Sequence, residues 1–236
     1  MNKVLSVARR EVSAYLYTPM AYAVMAGFLL ITGYFFSVSV LGSRMASVHS
    51  TLGNAGLILV FVAPILTMRL LADEMQQSTS EVLFTTPVTT SQVIAGKFLG
   101  SLTIITALIA IMMLYPLVLD HFGDPDWGAT LSAYLGLWLM AGSFLAAGVF
   151  TSSLTDSQLV AGVSGVALLL LLWVIDWAGS TLGEPLQSIL SHISVTQHFL
   201  DFNRGIIDTQ HIVFYITLST AFLFLSGRVL ESRQWR

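Results

Sequence analysis

The chain is 236 residues and 25.6 kDa, with 55% hydrophobic residues, 10% charged residues, a formal net charge of −3 and a mean hydropathy of +0.79. Soluble domains carry about 25% charged residues, so a water-coated globule is excluded, and the small negative charge does not suggest a nucleic-acid partner. The lack of cysteine removes disulfides, thiolate metal sites and cysteine nucleophiles.

No Asp, Glu, Lys or Arg occurs in 12–43, 45–68, 98–119, 127–155, 157–175 or 209–227, and the shortest of these six runs is 19 residues. A spanning helix needs about 20 mostly apolar residues at about 1.5 Å rise each. The apolar residues come in blocks rather than in the alternation of a β-barrel. The predicted fold is an all-α polytopic membrane protein with six transmembrane helices, forming one transmembrane domain over 1–236. The longest segment left outside the spans is about 30 residues, too short for a nucleotide-binding or catalytic domain.

Residues 2–17 come first, with Val4, Leu5, Ala8, Val12, Tyr15 and Leu16 at helical spacing against Lys3, Arg9, Arg10 and Glu11. This pattern predicts an amphipathic helix along the membrane interface, ending at Thr18-Pro19. The first span, 20–40, is read as uncleaved, because the small-x-small triplet Ala21-Tyr22-Ala23 precedes most of the apolar core instead of following it. The second span is 54–72. The 73–95 loop then carries Asp73 and Glu74 early, apolar residues on one face later and Pro87 as a stop, which predicts a helix over about 74–84. A short amphipathic helix projecting from a membrane bundle is a natural docking element for a soluble partner, and a solvated connector is the plainer reading.

The third span is 96–119. Gly96-Lys97 has Ser91 upstream and Phe98 downstream, so it is not a phosphate-binding loop, and Gly96 with Gly100 reads as close helix packing. The 120–129 hairpin offers Asp120, His121, Asp124 and Asp126 to a divalent cation, although an Asp-Pro, Gly-rich turn uses the same residues. After the fourth span, 130–150, the fifth, 159–177, contains Gly162-Val163-Ser164-Gly165, which looks like the GxSG of rhomboid-type intramembrane serine proteases. His211, at the start of the sixth span (209–229), would be the base. Counting residues puts the two about 20 Å apart in membrane depth, out of hydrogen-bond reach, so helix packing is the favoured reading. Segment 178–208 is too polar to span. Its His192, His198 and Asp201 invite a zinc reading but show no fourth ligand. The ionisable residues Arg69, Lys97, Asp176 and Arg228 all fall near span ends, where snorkelling to the interface accounts for them.

Alternate loops divide the basic residues eight to two: Lys3, Arg9, Arg10, Arg69, Lys97, Arg228, Arg233 and Arg236 against Arg44 and Arg204. The positive-inside rule then places both termini and the 73–95 loop in the cytoplasm, and 178–208 outside.

Several spaced motifs, in order, resemble the permeases of ABC type-2 transporters, and in particular the gliding-motility-associated (GldF-like) permease subunit. They are Arg9-Arg10-Glu11; Arg69-Leu70-Leu71-Ala72-Asp73-Glu74 running into Thr79-x-Glu81-x-Leu83; Thr86-Pro87-Val88; and Gly96-Lys97-Phe98-Leu99-Gly100. They continue in Gly123-Asp124-Pro125-Asp126-Trp127-Gly128, Ser152-Ser153-Leu154-Thr155-Asp156, His198-Phe199-x-Asp201-Phe202-x-Arg204-Gly205 and Leu230-Glu231-Ser232-Arg233-x-Trp235-Arg236. Ser78 departs from the pattern, where a glycine is expected.

The resemblance implies a bacterial inner-membrane permease subunit without a catalytic site or cofactor of its own. It would pair with a second permease and with ATP-binding cassette ATPase subunits that bind ATP and Mg. Residues about Asp73–Phe84 would be the coupling helix. The ATPase contact would include Asp73, Glu74, Gln77, Thr79, Glu81, Leu83 and Phe84, with Arg9, Arg10 and Glu11 of the interfacial helix. Spans one and five would face the other permease, with Gly162 and Gly165 in that interface. In the gliding-type subset the partner permease often carries a large external domain, so a heteromeric complex is expected. The implied function is ATP-driven export or gliding-related work on the envelope. The alternatives are an intramembrane protease using Ser164 and His211, or a membrane anchor that transmits force without transport.

Overall fold

The computed structural model describes residues 3–43, 47–76, 89–123, 125–181 and 194–233. Within them the chain forms ten helices and no strand: α1 (Lys3–Tyr17), α2 (Pro19–Ser43), α3 (His49–Thr67), α4 (Arg69–Gln76), α5 (Thr90–Met112), α6 (Leu114–Phe122), α7 (Trp127–Leu154), α8 (Gln158–Thr181), α9 (Val195–Asn203) and α10 (Thr209–Arg233). Six stretches are long and apolar enough to cross a membrane: Pro19–Gly42, His49–Asp73, Thr90–His121, Trp127–Leu154, Gln158–Ile175 and Thr209–Arg233. Each contains most or all of one predicted span.

The breaks between helices have local causes. Thr18 donates from its hydroxyl to the Ala14 carbonyl at 2.7 Å, and Pro19 opens α2, a position where its missing N–H costs nothing. The third span is interrupted at Met113, between α5 and α6. Pro116 has no N–H to give the Met112 carbonyl, and the Tyr134 hydroxyl donates to that oxygen instead, at 2.6 Å. Asp126 caps α7 by accepting from the Gly128 and Ala129 amides. Gly205, with φ of +86°, ends the turn after α9 in a left-handed conformation that favours glycine.

α7 is the centre of the bundle. In the most apolar window of each span, 78% of α7 residues and 67% of α3 residues are buried, against 11% for α2 and α10. The sequence of α7 explains this, because Gly136, Ala141, Ser143, Ala146, Ala147, Gly148, Thr151 and Ser152 are all buried small residues. Small side chains let backbones approach where no hydrophobic force drives helices together in lipid. A Cβ on Gly136 would sit 2.5 Å from Cβ of Phe202 on α9, and one on Gly148 would collide with Oγ1 of Thr67 on α3. The alternating helices gather α1, α4, the starts of α5 and α8 and the ends of α7 and α10 at one end of the bundle, called here the α1 end.

Candidate functional site

The α1 end is where polar side chains are buried and cross-linked. α1 lies on α5, seated on two glycines one helical turn apart. A Cβ on Gly96 would come within 2.6 Å of Val7 Cβ, and one on Gly100 within 2.6 Å of Glu11 Cβ. Between those glycines, Lys97 Nζ meets Glu11 Oε1 at 2.9 Å, with the two side chains only 3% and 12% exposed. A buried charge pair of this kind is costly to break. Lys97 therefore does not snorkel to the interface, as its place at a span end suggested: close packing on the glycines turns it and Glu11 toward each other. Arg9 and Arg10 are exposed on α1. The predicted apolar stripe divides, with Ala8 and Tyr15 buried and Leu5 and Leu16 exposed.

The same end ties α4 to the bundle. The Tyr15 hydroxyl donates to the Leu66 carbonyl at 2.7 Å, just before the α3–α4 break. Burial first, and then the Glu11 carboxylate, push the Tyr15 phenol above its ordinary range, with Arg69 opposing, so it stays a protonated donor. The break at Met68 leaves the first amides of α4 without intrahelical acceptors. Ser152 of α7, fully buried, supplies the cap from another helix. Its Oγ accepts from the Leu71 and Ala72 amides at 3.1 and 3.2 Å and donates to the Met68 carbonyl at 3.0 Å. Asp73 accepts from the Gln158 amide at the start of α8. Arg233, ending α10, donates to Asp156, to the Leu154 carbonyl and to Met75 Sδ of α4. A cleft of about 220 Å³ opens between α1, α4 and α5, lined by Arg10, Glu11, Tyr15, Arg69, Asp73 and Lys97.

α4 is thus held by α7, α8 and α10, and α1 by α3 and α5, at the end where α4 stops and α5 starts. Residues 55–230 match the family model described as ABC-2 family transporter protein. The chain belongs to the ABC-2 transporter family. No curated protein matches it significantly. An ABC-2 permease is the multi-pass transmembrane component of an ABC transporter, and the family implies association with an ABC ATPase. The matched region runs from α3 into α10 and contains α4, Lys97 and Ser152, whereas α1 lies before it.

The other predicted site residues of this ABC-2 permease are distributed as follows. Glu74 lies within α4, while Gln77, Thr79, Glu81, Leu83 and Phe84 fall outside the described residues, as does Ser78. Gly162 and Gly165 pack against other helices of the same chain. An added Cβ would meet Met68 Sδ at 3.3 Å from Gly162, and Pro64 Cβ at 2.9 Å and Thr151 Oγ1 at 3.0 Å from Gly165. The helix turns these glycines toward α3 and α7, and its outward face carries Leu159, Val160, Val163 and Leu171.

Ser164 and His211 are not brought together. The Ser164 hydroxyl donates to the Ala161 carbonyl near the α1 end. At the opposite end His211 sits 3.0 Å from Asp201 through Nε2 and 2.6 Å from His198 Nδ1 through its own Nδ1. With Nε2–H directed at Asp201, His211 Nδ1 accepts from His198. Among the described residues no group of three or more His, Asp or Glu is placed to hold a metal. Asp120 accepts from the Trp127 indole and Asp126 caps α7, while Asp124 and His192 fall outside the described residues.

Sequence reasoning missed Ser152, Gln158 and Arg233 as holders of α4. Ser152 stood in a quoted motif, but nothing in one dimension points from it to Leu71, 81 positions away.

Proposed function

We propose that this ABC-2 permease is the membrane subunit of an export complex, driven by a separate ATPase that docks on α1 and on the segment about Asp73–Phe84. The ATPase binds ATP and Mg, and this chain supplies no catalytic group. Both termini lie in the cytoplasm and the chain sits in the bacterial inner membrane, following the eight-to-two division of basic residues.

The observation that carries this reading is the anchoring of α4. A push on the segment after Asp73 passes through Ser152 into α7, the buried centre of the bundle, and through Gln158 into α8. A push on α1 passes through Glu11 and Lys97 into α5. Closure of the ATPase pair around ATP would therefore move the spans as a linked set. Arg9, Arg10, Asp73, Glu74, Gln77, Thr79, Glu81, Leu83 and Phe84 are the proposed ATPase contact, without Glu11, which faces Lys97. A second permease covers the outward faces of α2 and α8, where Leu30, Tyr34, Leu41, Leu159 and Val163 are exposed. In the gliding-type subset it is a different chain with a large external domain, and the work done is export or a gliding-related action on the envelope.

The test uses the complex carrying spin labels at the end opposite α1, on cysteines introduced into a naturally cysteine-free chain. Trapping the ATPase in its closed state should shift the label distances in the wild type. The Glu74→Ala, Glu81→Ala double variant should still assemble yet lose the shift. A normal shift in an assembled double variant would sink the assignment of these residues.

A further inference from the structure

A long crevice runs between α5 and α10, outside everything the coupling end uses. Its deeper part, about 220 Å³, is lined by Leu102, Trp138, Leu139 and Ile216, among others. Its shallower part, about 430 Å³, reaches Ser91, Phe224, Arg228 and Glu231 near the α1 end. Thr220 and Leu223 line both parts, so the two adjoin along α10. Ile216 to Glu231 on α10 is about 22 Å of helix, longer than the ~15 Å hydrocarbon depth of one leaflet.

The crevice changes chemistry along its length. The deep part is apolar, with hydroxyls from Ser219 and Thr220 already turned to the Tyr215 and Ile216 carbonyls. At the shallow end, Arg228 is held with its guanidinium 5.0 Å over the Phe224 ring. Its pair with Glu231, 3.3 Å long with side chains 66% and 50% exposed, is a weak surface pair. It engages one Nη1 of a group that carries five N–H donors. Ile216, Thr220 and Phe224 are exposed, so on a spanning helix the groove opens sideways to lipid. A trough that is apolar around Leu102, Ile216 and Leu223 and ends at Arg228, beside Glu231, at the α1 end matches one membrane molecule: an acyl chain joined to an anionic phosphate headgroup.

We infer that the α5–α10 crevice is a binding site for an anionic glycerophospholipid, with one acyl chain along Leu223 and Leu102 and the phosphate at Arg228. The site is independent of how the ATPase docks, since it touches none of the α4 contacts.

Trp138 provides the readout, taken as the difference between wild type and Trp138→Phe. The full chain is reconstituted in vesicles containing, as a minor component, phosphatidylglycerol or phosphatidylcholine brominated near the acyl terminus. Brominated phosphatidylglycerol should reach half-maximal quenching of Trp138 at about fivefold lower mole fraction than phosphatidylcholine, the preference expected of one cation near an anionic headgroup. Arg228→Gln, an exposed substitution, should remove the preference, and Thr220→Phe should reduce quenching by both lipids. Equal quenching by the two lipids in the wild type, or an intact preference in Arg228→Gln, would overturn the assignment. So would quenching that is present in the chain alone but lost in the assembled complex, which would mean that a protein covers the crevice.

Discussion

Replacing Lys97 by methionine is expected to destabilise the folded chain by about 3–5 kcal/mol, the usual cost of leaving one member of a buried ion pair without its partner. The size follows from burial: Lys97 is 3% exposed and Glu11 12%, so water cannot take over from the missing charge. The double variant Lys97→Met, Glu11→Leu should recover most of the loss, because an apolar pair of similar volume removes both desolvation penalties. Thermal unfolding in detergent measures both. Gly100→Leu should resemble the single variant for a different reason, since its Cβ would already meet Glu11 Cβ at 2.6 Å and lift α1 from its seat. Wild-type stability in Lys97→Met would mean that α1 is not locked to α5 through this pair.

The second large effect is expected at Ser152. Its alanine variant strips the acceptor from the Leu71 and Ala72 amides and the donor from the Met68 carbonyl. Unsatisfied buried polar groups cost about 1–3 kcal/mol each, reduced where the α4 backbone can shift to find other partners. The loss should be local. Hydrogen exchange at Leu71 and Ala72 should rise by orders of magnitude, while amides of α9 at the opposite end keep their protection. Ser152→Ala should also weaken the ATP-driven shift of the spans without preventing ATPase binding. Unchanged exchange at Leu71 and Ala72 would remove Ser152 from the role of anchor.

The spans were legible in the sequence because lipid imposes a strong constraint: about 20 apolar residues without charge, six times over. The break at Pro19 and the close packing of Gly96 and Gly100 were legible for the same kind of local reason. Neighbour relations were not. A span-end lysine such as Lys97 ordinarily snorkels to the interface, and only the approach of α1 on two glycines brings Glu11 to it. Gly162 and Gly165 showed that some backbone comes close, but small residues do not say whose. The side chains of Pro64, Met68 and Thr151 meet them within the chain. Ser152 looked like any span-end serine, and its value arises from a helix break 84 residues earlier, at Met68.

The central claim is that the ATPase docks at the α1 end and acts through the segment that follows Asp73. Because the chain has no cysteine, a single Glu81→Cys, Arg9→Cys or Asp208→Cys substitution gives one defined cross-linking position each. Asp208 is exposed at the opposite end. Each variant is treated in native membranes with a cysteine-to-lysine cross-linker, and the adducts are identified by mass spectrometry. The account predicts an ATP-binding cassette protein attached at Glu81→Cys and Arg9→Cys and absent at Asp208→Cys. No ATPase at the first two positions, or equal capture at the third, would contradict it.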